Sequence, residues 1–198
     1  MAKDNYHHGD LKTELIKKGL NILNEEGFDA FSLRKVAKAC NVSQTAPYRH
    51  YKDKEELITA ITLTALQAFN ESLEQAVANQ VTDPKRQLRD LGIAYVRFFV
   101  ENPEYLKLLF LSDLKLGMAE TGKKHCEDKQ GHPFDVLVQT VRRYKAHYAE
   151  EKRSEEELLM YCWGLVHGIA VLIVNNEIPF KSDYMQLAKA IIESERFL

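Results

Sequence analysis

The sequence predicts an all-α protein, with an N-terminal three-helix head joined by a connecting helix to a helical-bundle body. Three observations predict it. Apolar residues recur at spacings of three and four through nearly every segment, which is the period of one helix face. Start and stop signals punctuate the chain, with Asp or Ser before an apolar run, Asp-Pro and Asn-Pro pairs, and Gly or Asn after a run. No stretch alternates apolar and polar residues as a half-buried strand does, and no internal repeat is present.

Asp10 caps the first helix, Leu11, Leu15, Ile16, Leu20 and Leu23 line one side of it, and Gly27 stops it. Phe28 and Phe31 then tuck beneath the next elements. Ser32 caps a second helix whose buried face is Leu33, Val36 and Ala37. Asn41 can take the left-handed conformation that ends a helix, after which Val42 returns to the core. Ser43 caps a third helix, QTAPYRHY. Asp53 and Glu56 form a D-x-x-E capping box for the fourth, connecting helix. That helix carries Leu57, Ile58, Ile61, Ala65, Leu66, Phe69 and Leu73 and is expected to end near Gln80.

Asp83 and Asn102 each stand as a cap before a proline at the first helical position, Pro84 and Pro103. The first opens the run Leu88, Leu91, Tyr95, Phe98, Phe99, and the second opens Tyr105, Leu108, Leu109. Lys115 to His132 is a polar stretch with three glycines and reads as a loop. Pro133 restarts a helix that ends near Tyr148. Ser154 with Glu157 makes another capping box, opening a long apolar helix to Asn175. Ser182 caps the last helix, with Tyr184, Ala188, Ile191 and Ile192 on its face.

A chain of 198 residues, 45% of them hydrophobic, can bury a large core. Its net charge of −2 is not that of a globally basic nucleic-acid binder, but the charge is unevenly spread. Residues 1–55 carry ten Lys and Arg against eight Asp and Glu, together with His7, His8 and His50, whereas the remainder carries seventeen against twenty-one. A weakly basic head on an acidic body suits a protein that meets phosphates at one end. Cys40, Cys126 and Cys162 are odd in number and lack C-x-x-C spacing, which favours a reducing compartment over a disulfide framework. The start MAKDNYHHGD has no apolar core of the signal-peptide kind. The most apolar run, Leu165 to Val174, is about half the length that crosses a bilayer. A soluble, cytoplasmic protein with no membrane partner is expected.

The stretch Ser32 to Lys54, SLRKVAKACNVSQTAPYRHYKDK, is the most informative. It reads as helix, tight turn and second short helix, the layout whose second helix lies in a DNA major groove. The longer run GDLKTELIKKGLNILNEEGFDAFSLRKVAKACNVSQTAPYRHYKDKEELITAI contains the pattern V-S-x-x-x-x-Y-x-H-Y-x-x-K-E-x-L. Over roughly residues 8–62 it resembles the DNA-binding domain of the TetR (tetracycline-repressor-like) transcriptional regulators. Pro47 departs from the pattern, standing where the family more often has leucine; proline is tolerable in a first helical turn, where amide donors are mostly spare. Further along, ENPEYLKLLF and the WGLVHG of Trp163–Gly168 resemble a branch whose C-terminal regulatory domain is known for a Trp, a His and a Gly. The resemblance implies a helix-turn-helix domain over residues 1–53 and a regulatory and dimerisation domain over 54–198.

It also implies that Arg34, Gln44, Thr45 and Ala46 face base edges. Chemistry agrees for two of them, since Arg can donate two bonds to guanine and Gln can pair with adenine. The methyl of Ala46 suits a thymine methyl. Arg49 can reach either a base or a phosphate. Tyr48, His50 and Lys54 read as phosphate anchors that fix register, and Lys54 begins a helix whose free N–H groups also favour anions. Tyr51 and Cys40 read as core. Base contacts discriminate by ~1–3 kcal/mol each, so one head is too small a grip for a unique site. A homodimer on double-stranded DNA with a palindromic operator follows.

In the body, Trp163, His167 and Val171 share one helical face, as do Gly164 and Gly168. Glycines four apart let another helix approach closely, and the resemblance implies a dimeric four-helix bundle there; packing within one subunit is the alternative. His167 reads as a satisfied core or interface histidine. Tyr95, Phe98, Phe99, Tyr105 and Phe110, with Trp163 and His167, are the candidate pocket for a small apolar or aromatic effector, the alternative being ordinary core. By resemblance, an effector among the middle helices would tilt the connecting helix and change the spacing of the heads. His125, Cys126 and His132 lack a metal-ligand spacing, so no metal and no cofactor is expected. No G-x-S-x-G, H-E-x-x-H or phosphate-binding glycine loop is present, so no catalytic residue is nominated and an enzyme is not expected. The combined expectation is a homodimeric repressor released by a small molecule; the alternative is an activator or a regulator controlled by a protein partner.

Overall fold

The computed structural model describes residues 8–78, 82–111, 132–176, 179 and 182–194, and every regular element among them is helical. They fall into two units, residues 8–65 with 107–111, and residues 66–106 with the described part of 132–194. The expected loop before His132 lies outside the described residues, as do His125 and Cys126.

In the first unit, α1 (His8–Ala30) starts before the expected cap at Asp10 and is broken at Gly27, whose φ of 77° is the left-handed conformation that glycine adopts without strain. Leu11, Leu15, Leu20 and Leu23 are buried, as the periodicity predicts. At Gly19 the helix α1 runs close against α3 (Lys54–Ala78): a Cβ there would stand 2.9 Å from the Ile61 methyl. Ser32 caps α2 (Leu33–Ala39) by accepting from the Lys35 N–H. Asn41 has φ 55°, its N–H donates to the Lys38 carbonyl, and the Val42 N–H donates to the Ala37 carbonyl. That paired closure is the Schellman motif, so the turn of the expected helix-turn-helix is present in full.

The helix expected after the turn is not a regular one. Only Pro47–Arg49 is helical, as a 3-10 turn, and Ser43 is not its cap. Pro47 has no N–H to give to the Ser43 carbonyl, which is taken instead by Ala46 at 2.9 Å, and Arg49 bonds Ala46 in the same three-residue pattern. The Ser43 hydroxyl lies 3.2 Å from that of Thr45. Asp53 then accepts from the Glu56 N–H at 2.9 Å to open α3, while the Glu56 carboxylate reaches back past Asp53 to the Lys52 N–H. Leu57, Ile58 and Ile61 are fully buried on the face the sequence marked. α3 contributes its first half to this unit and its second half to the other.

In the second unit, α4 (Pro84–Glu101) is the central element and packs on α6 (Pro133–His147), α7 (Glu155–Val174) and α8 (Tyr184–Glu193). Asp83 caps α4 through the Arg86 N–H as expected. Asn102 does not cap the next helix. Its side-chain amide donates back to the Phe98 carbonyl at 2.8 Å and closes α4, and α5 (Pro103–Leu106) runs on into a π-helical turn, Lys107–Leu111, that belongs to the first unit. Ser154 and Glu157 form the predicted reciprocal box at the start of α7. α8 is capped by Asp183, one residue after the expected Ser182, because the Asp183 carboxylate reaches the Gln186 N–H. Burial pushes the Cys162 thiol up to about 12, so it stays protonated and serves as core.

Candidate nucleic-acid interface

The Schellman turn ends α2 so that its exposed face and the residues after Val42 form one shallow concavity of about 410 Å³, lined by Arg34, Lys35, Lys38, Asn41, Val42 and Gln44. Two of the sequence-nominated base readers, Arg34 and Gln44, therefore share a single surface. Thr45 is exposed beside it, and Ala46 is half-buried. Tyr48, at 52% exposure, and Arg49 project from the 3-10 turn, while the adjoining Pro47 is buried and fixes the turn to the unit. His50 is half-buried, with its ring 6.5 Å from that of Tyr51. Tyr51 and Cys40 are core residues, as expected.

Two basic residues of this surface escaped the sequence reading. Lys38 lies one turn beyond Arg34 and so on the same face, a signal present in the spacing. Lys35 also lines the concavity, and its ammonium pairs with Glu26. Arg34 and Lys38 have no side-chain partner among the described residues, which leaves both cations open to an external anion.

Lys54 is placed differently from the rest. Its ammonium donates to the Phe28 carbonyl at 3.4 Å and sits 4.1 Å above the Phe28 ring. The charge is thus engaged by the head itself, tying the chain after Gly27 to the first turn of α3. One of its three donors is used there, which leaves others available at the helix start.

The nominated pocket residues of the body are drawn together around Phe69. Its ring centroid is 5.3 Å from Tyr95, 5.1 Å from Phe98 and 4.7 Å from Phe99, and Tyr105 stacks on Phe98 at 5.9 Å. These are ordinary packed-ring separations. Phe110 lies in the π-helical turn of the first unit, apart from this group in the chain's division. Tyr95 is the polar centre of the cluster. Its hydroxyl is 2.8 Å from His167 Nδ1, and Trp163 hydrogen-bonds to it as well. Burial raises the phenol well above its usual range, with the Trp163 bond opposing, and burial likewise lowers His167. His167 is therefore neutral and satisfied. Trp163 also packs against Phe134, with centroids 5.2 Å apart.

α7 is long and apolar, with a mean hydropathy of 1.8 over a window that is only 22% buried. Met160 (76% exposed), Gly164, Gly168 and Leu172 succeed one another at four-residue spacing along it. A Cβ added at either glycine would meet nothing within 4 Å.

Comparison with known proteins places both parts of the chain. The pattern of the bacterial regulatory proteins, tetR family, matches residues 15–61, and that of the tetracyclin repressor-like C-terminal domain matches residues 88–194. The HTH-type transcriptional repressor NicS of Pseudomonas putida is 20% identical over 126 residues, covering 64% of this chain and 59% of NicS. An HTH-type transcriptional regulator of Bacillus subtilis, YerO, is 24% identical over 191 residues, covering 92% of this chain and 62% of YerO. The chain thus spans about three fifths of the length of these curated relatives. The crystal structure of the TetR family transcriptional regulator PfmR from Thermus thermophilus shares the fold with a TM-score of 0.68 at 23% identity, covering 90% of this chain and 91% of that one.

Proposed function

The chain belongs to the TetR family of bacterial regulatory proteins, and on that premise we propose that it is a cytoplasmic homodimeric repressor. Its paired heads bind a palindromic operator, and a small molecule bound by the body releases them. The concavity on α2 carries this reading, because it joins two unpaired cations, Arg34 and Lys38, to the amide of Gln44 on one exposed surface. Arg34 and Gln44 read base edges there. Lys38, Tyr48, Arg49 and His50 hold phosphates, and Lys54 does so with the donors that Phe28 leaves free. Thr45 and Ala46 complete the groove contact.

The exposed apolar stripe of α7, with its two open glycines, supports dimerisation through α7 and α8, where a second copy would cover what one protomer leaves bare. An apolar or aromatic effector at the ring cluster would part rings that now pack on Phe69 and would compete with the Trp163–Tyr95–His167 bonds. α3 carries residues of both units, so a shift of its second half is felt by its first. Release follows only if the ligand binds the DNA-free state better.

The test is selection of bound sequences from a random DNA pool by the purified protein at physiological salt. Enrichment of a short palindrome upholds a sequence-reading dimer. Enrichment of a single half-site would remove the dimer from the reading, and no enrichment would remove the operator.

A further inference from the structure

One cation of the α2 concavity is already occupied. Of Arg34, Lys35 and Lys38, which all line it, only Lys35 has a carboxylate partner among the described residues, and that partner is Glu26 of α1. The two side chains stay 46% and 41% exposed, so the pair lies in water and not in the core. An exposed pair of this kind adds little to stability. Its effect is on the field of the concavity, which would carry three free cations without Glu26 and carries two with it.

Both partners are held in place by their backbones. Glu26 is the last residue before the break in α1 at Gly27, whose left-handed φ of 77° turns the chain. The return is fixed by the Phe31 N–H, which donates to the Phe28 carbonyl at 3.2 Å, and by the Lys54 ammonium on that same carbonyl. Ser32 then accepts from the Lys35 N–H, which sets Lys35 in the first turn of α2. The turn thus brings together an ammonium and a carboxylate that are nine residues apart in sequence. A lysine ammonium is a compact charge on a flexible stem, so the group that reaches Glu26 can also reach a phosphate laid across α2. With Glu26 in place, that phosphate meets a neutral pair. Only a bare ammonium releases a counter-ion from DNA.

We propose that Glu26 is a positioning residue for DNA binding: it holds Lys35 as an internal counter-ion, in the place a backbone phosphate would take, and so weakens the head's grip on DNA of any sequence. Grip on random sequence comes almost wholly from phosphate contacts. Arg34 and Gln44 stay free to read bases, so a larger share of the head's affinity comes from sequence. The inference rests on the proposed reading that this face of α2 meets DNA.

The experiment is fluorescence anisotropy of the full-length protein on a labelled short duplex of random sequence, between about 50 and 200 mM salt. Glu26→Gln keeps the size of the side chain and removes its charge. It is expected to bind more tightly than the parent and to steepen the slope of log affinity on log salt by about 0.9, the worth of one phosphate contact. The gain is then about three- to fourfold larger at the low end of that salt range than at the high end. Combining Glu26→Gln with Lys35→Gln is expected to return the slope to the parent's, because the freed cation is gone. An unchanged slope in Glu26→Gln, as a pair that only fastens α1 to α2 would give, overturns the proposal. A gain that survives in the double variant overturns it too, since the carboxylate would then act by its own repulsion and not through Lys35. Lys38→Ala, measured alongside, tests the face itself. If it flattens the slope while Glu26→Gln does not steepen it, the face stands and the role of Glu26 falls. If it leaves the slope unchanged, α2 does not meet phosphates there and both fall.

Discussion

Replacing Gly164 and Gly168 together by alanine separates the protomer from the dimer. Within one protomer a Cβ at either position meets nothing within 4 Å, and both glycines sit inside α7. Each substitution should then stabilise the isolated protomer by about 0.8–1.0 kcal/mol, the helix-propensity difference between Gly and Ala. The pair gives about 2 kcal/mol, or a rise in Tm of about 4–8 °C for a chain of this size. In an isologous dimer the new methyls occur in both copies and face the partner. If helices meet closely at this stripe, overpacking costs about 1–3 kcal/mol per site. Even the low figure at four positions is about 4 kcal/mol, close to a thousandfold in Kd. Sedimentation over a dilution series measures the dimer constant, and melting at the dilute end measures the protomer. A double variant that dimerises as tightly as the parent refutes α7 as the interface. One that melts lower when dilute refutes the open surroundings of the glycines.

Other outcomes concern the head and the buried histidine. Asn41→Ala should destabilise the protein by about 1–2 kcal/mol in urea unfolding, because alanine is strained at φ 55°, whereas Asn41→Gly should be neutral or better; equal stability of the two would contradict the left-handed turn. Arg34→Ala should relax base preference, while Lys38→Ala should weaken all DNA alike and flatten the salt dependence by about 0.9 in slope per phosphate lost. A uniform loss for Arg34→Ala on cognate and random DNA would rule out base reading by that residue. His167 is lowered from its ordinary 6.5 by burial, so the unfolded chain takes up the proton first. Stability is full above that value and declines as pH falls through it toward the lowered one. His167→Gln should flatten that part of the Tm profile, and an unchanged profile would mean that His167 is not the group responsible.

Caps and periodicity made most of the fold legible, because each is a short-range rule. Ser32, Asp83 and Ser154 bond the amides the sequence assigns them, and Gly27 breaks α1 where a glycine should. The failures came where more than one local pairing was open. Asn102 turned to the preceding carbonyl instead of the following amide, and Asp183 took the role assigned to Ser182. Pro47 is plain in the sequence, but its effect depends on the Ser43 carbonyl going to Ala46, which no spacing rule states. At the candidate sites the residue types were legible and their surroundings were not. Lys38 could have been found by counting one turn from Arg34. The Tyr95–His167 bond could not, since its partners lie on different helices 72 residues apart. Gly19 is similar, as only the approach of Ile61 reveals why it lacks a side chain.

The broken ladder at Pro47 has a consequence for isotope labelling. The Gln44 and Thr45 amides have no acceptor among the described residues, whereas those of Ala46, Arg49, His50 and Tyr51 are bonded. In deuterated water the first two should exchange at nearly the rate of an unstructured peptide while the rest of the turn lags. Those same fast amides flank the surface that meets DNA in the proposed function. Their slowing when an oligonucleotide is added would report occupancy of the groove residue by residue, with no dye, mutation or crystal.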